Sequence, residues 1–85
     1  MPRYFFDLLT DKSHDKDETG AEFDTLDEVR HQAMCALPAI AADEVPNDGD
    51  RQTFTVLVTD EEGHSIYTAT LNFAGLWLRR DAPVS

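Results

Sequence analysis

The chain reads as an α+β domain: an antiparallel sheet of three or four strands with one kinked helix packed on one face, in the order β-β-α-β-β. Three observations predict it. Segments 3–10, 53–59 and 64–73 are rich in aromatic and β-branched residues and alternate in polarity, as half-buried strands do. Segment 24–45 instead carries apolar residues at helical spacing behind a capping sequence. The strands come in neighbouring pairs joined by short polar stretches, which favours antiparallel pairing. The expected domain spans 1–75, followed by a tail at 76–85.

The first strand, RYFFDLLT (3–10), puts Tyr4, Phe6 and Leu8 on one face and Phe5, Asp7 and Leu9 on the other. The polar run 11–19 is expected to be a loop or hairpin tip. GAEF (20–23) returns as a short strand, with Gly20 supplying any positive φ the turn needs. The helix opens on Thr25 and Glu28, which form an S/T-x-x-E capping box, and Asp27 and Glu28 suit the positive end of its dipole. Leu26, Val29, Ala33, Leu37 and Ile40 make one apolar stripe. Pro38 lacks an amide proton and clashes with the preceding turn, so the helix should kink or split there. PNDGD (46–50) reads as a stop and turn.

In TFTVLVT (53–59), Phe54, Val56 and Val58 share a face. DEEG (60–63) is a hairpin turn with Gly63 suited to the left-handed position. The returning strand HSIYTATLNF (64–73) sends Tyr67, Ala69, Leu71 and Phe73 one way and Ile66, Thr68, Thr70 and Asn72 the other. Each long strand therefore has one strongly apolar face for a helix to cover. The opposite face is mixed, and Phe5, Leu9, Leu57 and Ile66 form a second apolar patch on it. In the tail, Leu76, Trp77 and Leu78 are consecutive apolar residues. Two fates suit them: folding back onto the second sheet face, or docking on another subunit. Trp and Arg are enriched at interface centres. The expected partner-binding set is thus Phe5, Leu9, Leu57, Ile66, Leu76, Trp77 and Leu78.

The 85 residues suffice for one small domain, whose core alone supplies roughly 3–5 kcal/mol. Seven Lys and Arg against 17 Asp and Glu give a net charge of −10. That argues against nucleic acid, whose readers need a basic face, and against an anionic membrane surface. A basic protein partner, a metal ion or plain solubility all agree with it. No run approaches the roughly 20 apolar residues of a membrane span. MPRYFFDLLT is broken by Asp7 and lacks a signal-peptide pattern, so the expected location is cytoplasmic. Cys35 is the only cysteine, which excludes a disulfide within the chain and suits a reducing compartment.

DKSHDKDETGAE (11–22) nearly scans as a calcium-binding EF-hand loop. Asp11, Ser13, Asp15 and Asp17 alternate, and Glu22 stands at the twelfth place. Lys16, however, occupies the turn-glycine position, and a strand, not a helix, precedes the loop. A metal site on Asp11, Ser13, Asp15, Asp17 and Glu22 is therefore the lesser reading. A solvated acidic hairpin tip, which discourages edge-to-edge pairing, is the better one. His14, His31 and His64 make no pair at ligand spacing. His31 lies one helical turn before Cys35 and within reach of it, but nothing supplies a third catalytic group. The serines sit in no nucleophile elbow, and the glycines are isolated. No cofactor is expected, and an enzyme is the last of the classes considered.

PRYFF at the start, DETGAEF before the helix, LDEVRHQA opening it and VTDEEGHSIYT in the last hairpin resemble domain-of-unknown-function family 6894 over about residues 2–73. These are small proteins of rhizobia and related alphaproteobacteria. The resemblance implies no activity, catalytic residue or cofactor. The chain departs from the pattern in its longer acidic first loop, in Pro38 and in the GLWLRRDAPVS extension. Residues 3–37 are also similar in architecture to the partner-binding domain of HicB-type antitoxins, where a capped helix follows a hairpin. The expected function is a non-enzymatic interaction or oligomerisation module, homodimeric through the second sheet face and the Trp77 tail. The alternatives are a calcium-binding module and an antitoxin-like domain covering a basic partner.

Overall fold

A computed structural model describes residues 2–79, without the side chains of Asn47 and Asp48. Residues 80–85 of the expected tail lie outside the described residues. The elements are β1 (Arg3–Thr10), β2 (His14–Asp15), β3 (Ala21–Glu22), α1 (Leu26–Asp48), β4 (Arg51–Thr59) and β5 (Ser65–Ala74). The sheet is antiparallel in the order β2-β1-β4-β5, and β3 also pairs with β1. Five strands thus replace the expected three or four. The extra one is β2, where the acidic run turns back along β1 through Leu8–Asp15 and Leu9–His14 pairs.

The alternation expected of the strands is realised. Phe54, Val56 and Val58 are buried against Val29, Ala33 and Leu37 of the helix, and Tyr4, Phe6, Leu8, Tyr67, Ala69 and Leu71 pack around them. The helix lies over β4 and β5. The core face of β1 is covered instead by Phe23, whose ring is 5.7 Å from that of Phe6 and 6.3 Å from that of Tyr4. Residues 29, 33 and 37 recur every four positions, so they fall on one face and fill the groove above the sheet. Two members of the expected stripes lie outside this core. Leu26 is 64% exposed at the first helical position, and Phe73 is 39% exposed near the end of β5.

The helix does not split at Pro38 and does not stop at Pro46: it runs unbroken to Asp48. A helix-interior proline costs about 3 kcal/mol. Burial of Val29, Ala33 and Leu37, with Ile40, Ala41 and Val45 packed beside them, spans Pro38 and reaches up to Pro46, and offsets that cost. The N-terminus is capped as expected, since Thr25 Oγ1 accepts from Glu28 N at 3.2 Å. The C-terminus has a cap that the pattern did not reveal. Gln52, buried on β4, donates from Nε2 to Val45 O at 2.9 Å and to Gly49 O at 2.8 Å. Those bonds satisfy carbonyls at the helix end that would otherwise be orphaned.

Candidate interaction surface

The two outer edges of the sheet are treated differently. On β1, β3 pairs at Arg3 and Tyr4, and β2 pairs at Leu8 and Leu9. In the gap between them Phe6 N donates to Asp17 Oδ2 at 3.1 Å. A side chain there takes the place of a strand. The same carboxylate accepts from Thr19 N at 3.1 Å and from Gly20 N at 3.0 Å. These backbone donors, Gly20 foremost, hold the Asp17 carboxyl below the ordinary aspartate range, against the smaller opposing effect of burial. Asp7, buried on the second face, accepts from Asp17 N at 3.0 Å and lies 3.4 Å from His14 Nε2.

The acidic loop therefore folds over the β1 side of the second sheet face. Gly20, at φ 73°, is pressed so closely that an added Cβ would meet Phe5 Cε1 at 2.8 Å. Of the expected partner-binding residues, Phe5 and Leu9 are half-buried beside this loop, and Leu57 is half-buried in the centre of the sheet. Ile66 is 38% exposed at a register shift between β4 and β5. The patch these four form is interrupted by polar groups. Thr55 Oγ1 lies 3.1 Å from Thr70 Oγ1, and Thr53 Oγ1 donates to Asn72 Oδ1 at 2.9 Å. A cleft of about 510 Å³ remains between the loop and the β4–β5 turn, with Phe5, Asp7 and Thr59 among its walls.

The tail does not cover this face. Leu76, Trp77 and Leu78 are 78%, 60% and 87% exposed, so the first of their two expected fates, folding back on this face, is not the one observed. Loop 11–20 already takes the space beside β1. The outer edge of β5 pairs with no strand among the described residues. A ten-residue edge and an exposed apolar segment are thus contiguous.

The five residues that scan as calcium ligands do not converge. Asp11 Oδ2 accepts from Thr53 N at 3.2 Å, at the far end of β1. Ser13 Oγ lies 3.1 Å from Thr10 Oγ1. Asp15 is opposite Leu8, whereas Glu22 is opposite Arg3 and 3.6 Å from its guanidinium. Five strand positions separate Leu8 from Arg3, roughly 16 Å at the rise of a strand. Asp17 faces backbone amides. Among the described residues no group of three His, Cys, Asp or Glu side chains is placed to hold a metal ion.

Cys35 Sγ and His31 Nε2 do meet, 3.5 Å apart, on the exposed side of the helix. In the last hairpin turn Asp60 Oδ1 accepts from the amides of Glu62 and His64, each at 2.9 Å. The His64 amide chiefly, and then that of Glu62, keep this carboxyl below its ordinary range. Glu61 Oε1 accepts from Arg3 N at 2.9 Å and so ties the turn to the start of β1. No helix among the described residues is long and apolar enough to cross a membrane.

No match is found among curated proteins or among solved structures. One match to a known family covers residues 3–72, from the start of β1 almost to the end of β5 and including the helix opening and the last hairpin: the chain belongs to the family described as Domain of unknown function (DUF6894).

Proposed function

We propose that this protein is a non-enzymatic interaction module whose contact surface is the outer edge of β5 together with Leu76, Trp77 and Leu78. One observation carries the reading: the β1 edge is closed by β2, β3 and Asp17, while the β5 edge pairs with no strand among the described residues and leads into exposed apolar residues. Unpaired edges template strand addition, and proteins that remain monomeric usually blunt them. Strand addition to an edge gains affinity from main-chain bonds and selectivity from the alternating side chains.

The test separates fold from contact. Replacing Leu76, Trp77 and Leu78 together by Ser should leave the melting temperature within a few degrees, because these side chains are exposed. That comparison is made at a dilution where neither protein is assembled, since assembly itself raises the melting temperature; the same variant should lose assembly, read as the size of the tagged protein's complex in extracts of its own cells. If the unmodified protein runs at its 9.6 kDa chain mass, both purified and in extract, the reading is wrong.

A further inference from the structure

The β5 edge has features that select its occupant. Resting on the interaction reading above, we infer that a second copy of the chain pairs its β5 antiparallel to this one, about a two-fold axis through Thr70, making one sheet across two protomers.

Charge is the first argument. Although 28% of the chain is charged, Ser65–Ala74 contains no charged residue and no proline. Two chains of net charge −10 repel over most of their surfaces, and β5 is a neutral strip where their backbones can meet. The bulge near Ile66 disturbs only the start of the strand and leaves 67–74 regular.

Register is the second. Residues facing each other across an antiparallel pair share a sheet face. With Thr70 on the axis, Tyr67 faces the partner's Phe73 and Ala69 faces the partner's Leu71 on the core side. Thr68 faces the partner's Asn72 on the other side. An aromatic pair, an aliphatic pair and a hydrogen-bonding pair thus each occur twice, as a self-complementary interface requires. Phe73, exposed in the single chain, gains a ring partner.

The rest of the molecule fits this arrangement. The helix lies over β4 and β5, so it stands about one strand spacing, roughly 4.8 Å, from the axis. Its symmetry mate then lies about 10 Å away, an ordinary helix-packing distance. Met34, 51% exposed, is on the helix flank opposite Glu28 and Gln32, which border Phe23 over β1. It therefore faces the partner's helix. Gly75 N donates to Asp50 O at 2.7 Å, so the chain leaves β5 along the strand direction. In the antiparallel pair, Leu76 to Arg79 then run past the partner's hairpin turn. The partner's Glu62 on that turn is opposite in charge to Arg79. The ladder alone would fall short of the roughly 800 Å² per partner of a stable interface. Trp77, Leu76, Leu78 and the helix flank supply the remainder.

The test uses the full chain, with Cys35→Ser where thiols are introduced. Native mass spectrometry at micromolar concentration should read twice 9.6 kDa. Thr70→Asp puts two like charges together on the axis and should weaken the dimer roughly a hundredfold. Thr70→Lys should do the same, and mixing the two variants should restore a mixed dimer, which a misfolded protein would not do. Thr70→Cys should form a disulfide dimer on oxidation, while Ala69→Cys and Leu71→Cys should not. A dimer indifferent to these changes overturns the inference, because its interface lies elsewhere. A purified monomer that runs in a larger complex in extract also overturns it, yet leaves the interaction reading standing. A monomer in both settings overturns both.

Discussion

At Asp17 one carboxylate accepts three backbone N–H groups, from Phe6, Thr19 and Gly20. Hydrogen bonds to a charged group contribute roughly 1.5–3 kcal/mol each at most, and bonds sharing one carboxylate are not additive. Asp17→Ala should therefore cost about 2–3 kcal/mol in urea unfolding, a large part of the stability of a chain this size. Asp17→Asn keeps one acceptor oxygen and should lose less. The pH dependence follows from the lowered carboxyl pKa. The folded state favours the ionised form, so the stabilisation is complete above the unfolded aspartate value. It is lost as pH falls through the lower, folded value. Unfolding curves collected down that acid range should show the decline in the natural protein and a flatter profile in Asp17→Asn. Gly20 is the second sensitive residue, because it combines φ 73° with a 2.8 Å approach to Phe5. Gly20→Ala should destabilise by about 2 kcal/mol or more, counting left-handed strain and the clash together.

The helix persists through two prolines because its buried stripe and its two caps hold it on the sheet. Pro38 is exposed, so its ring adds no core packing, and the amide that alanine would restore can reach the Met34 carbonyl. Pro38→Ala should raise stability, by up to about 3 kcal/mol on helix-interior scales. A rise in the urea midpoint with unchanged slope would be the sign of it; a fall would mean that the proline shapes the helix to fit the sheet. At the other end, Gln52 links β4 to the helix by two bonds from one nitrogen. It makes the helix end and the strand start one unit, which is why the turn follows Pro46 by several residues and does not begin at it.

Across the whole molecule the asymmetry of the two edges matters most. One edge is closed by short strands and a carboxylate, while the other is long, neutral and open among the described residues. If β5 pairs with a second copy as inferred above, folding is coupled to concentration, and the melting temperature should rise on concentrating the protein. Association of two chains of −10 would also depend on salt. Raising ionic strength from about 0.01 M to 0.15 M shortens the screening length from about 30 Å to about 8 Å and should tighten the dimer. Sedimentation at both salts, with a monomer–dimer constant that weakens as salt is added, would contradict this account.

The sequence alone specifies the three long strands, their inward faces and the helix cap. These rest on period-two and period-four spacing and on a local hydroxyl-to-amide bond, all of which lie within a few residues of one another. It also determined the charge that makes a neutral edge exceptional. Contacts between distant residues become visible only in the folded chain. Thr53 N binds Asp11, 42 positions earlier, and Arg3 N binds Glu61, 58 positions later, and no local pattern encodes either. The acidic loop shows the difference most plainly. Its alternating oxygens suggested one ion, but antiparallel pairing draws the run out along β1 and sends Asp15 and Glu22 to opposite ends. The tail shows it again: three apolar residues said that something must cover them, and only the occupied second face and the open β5 edge said that it is not their own sheet.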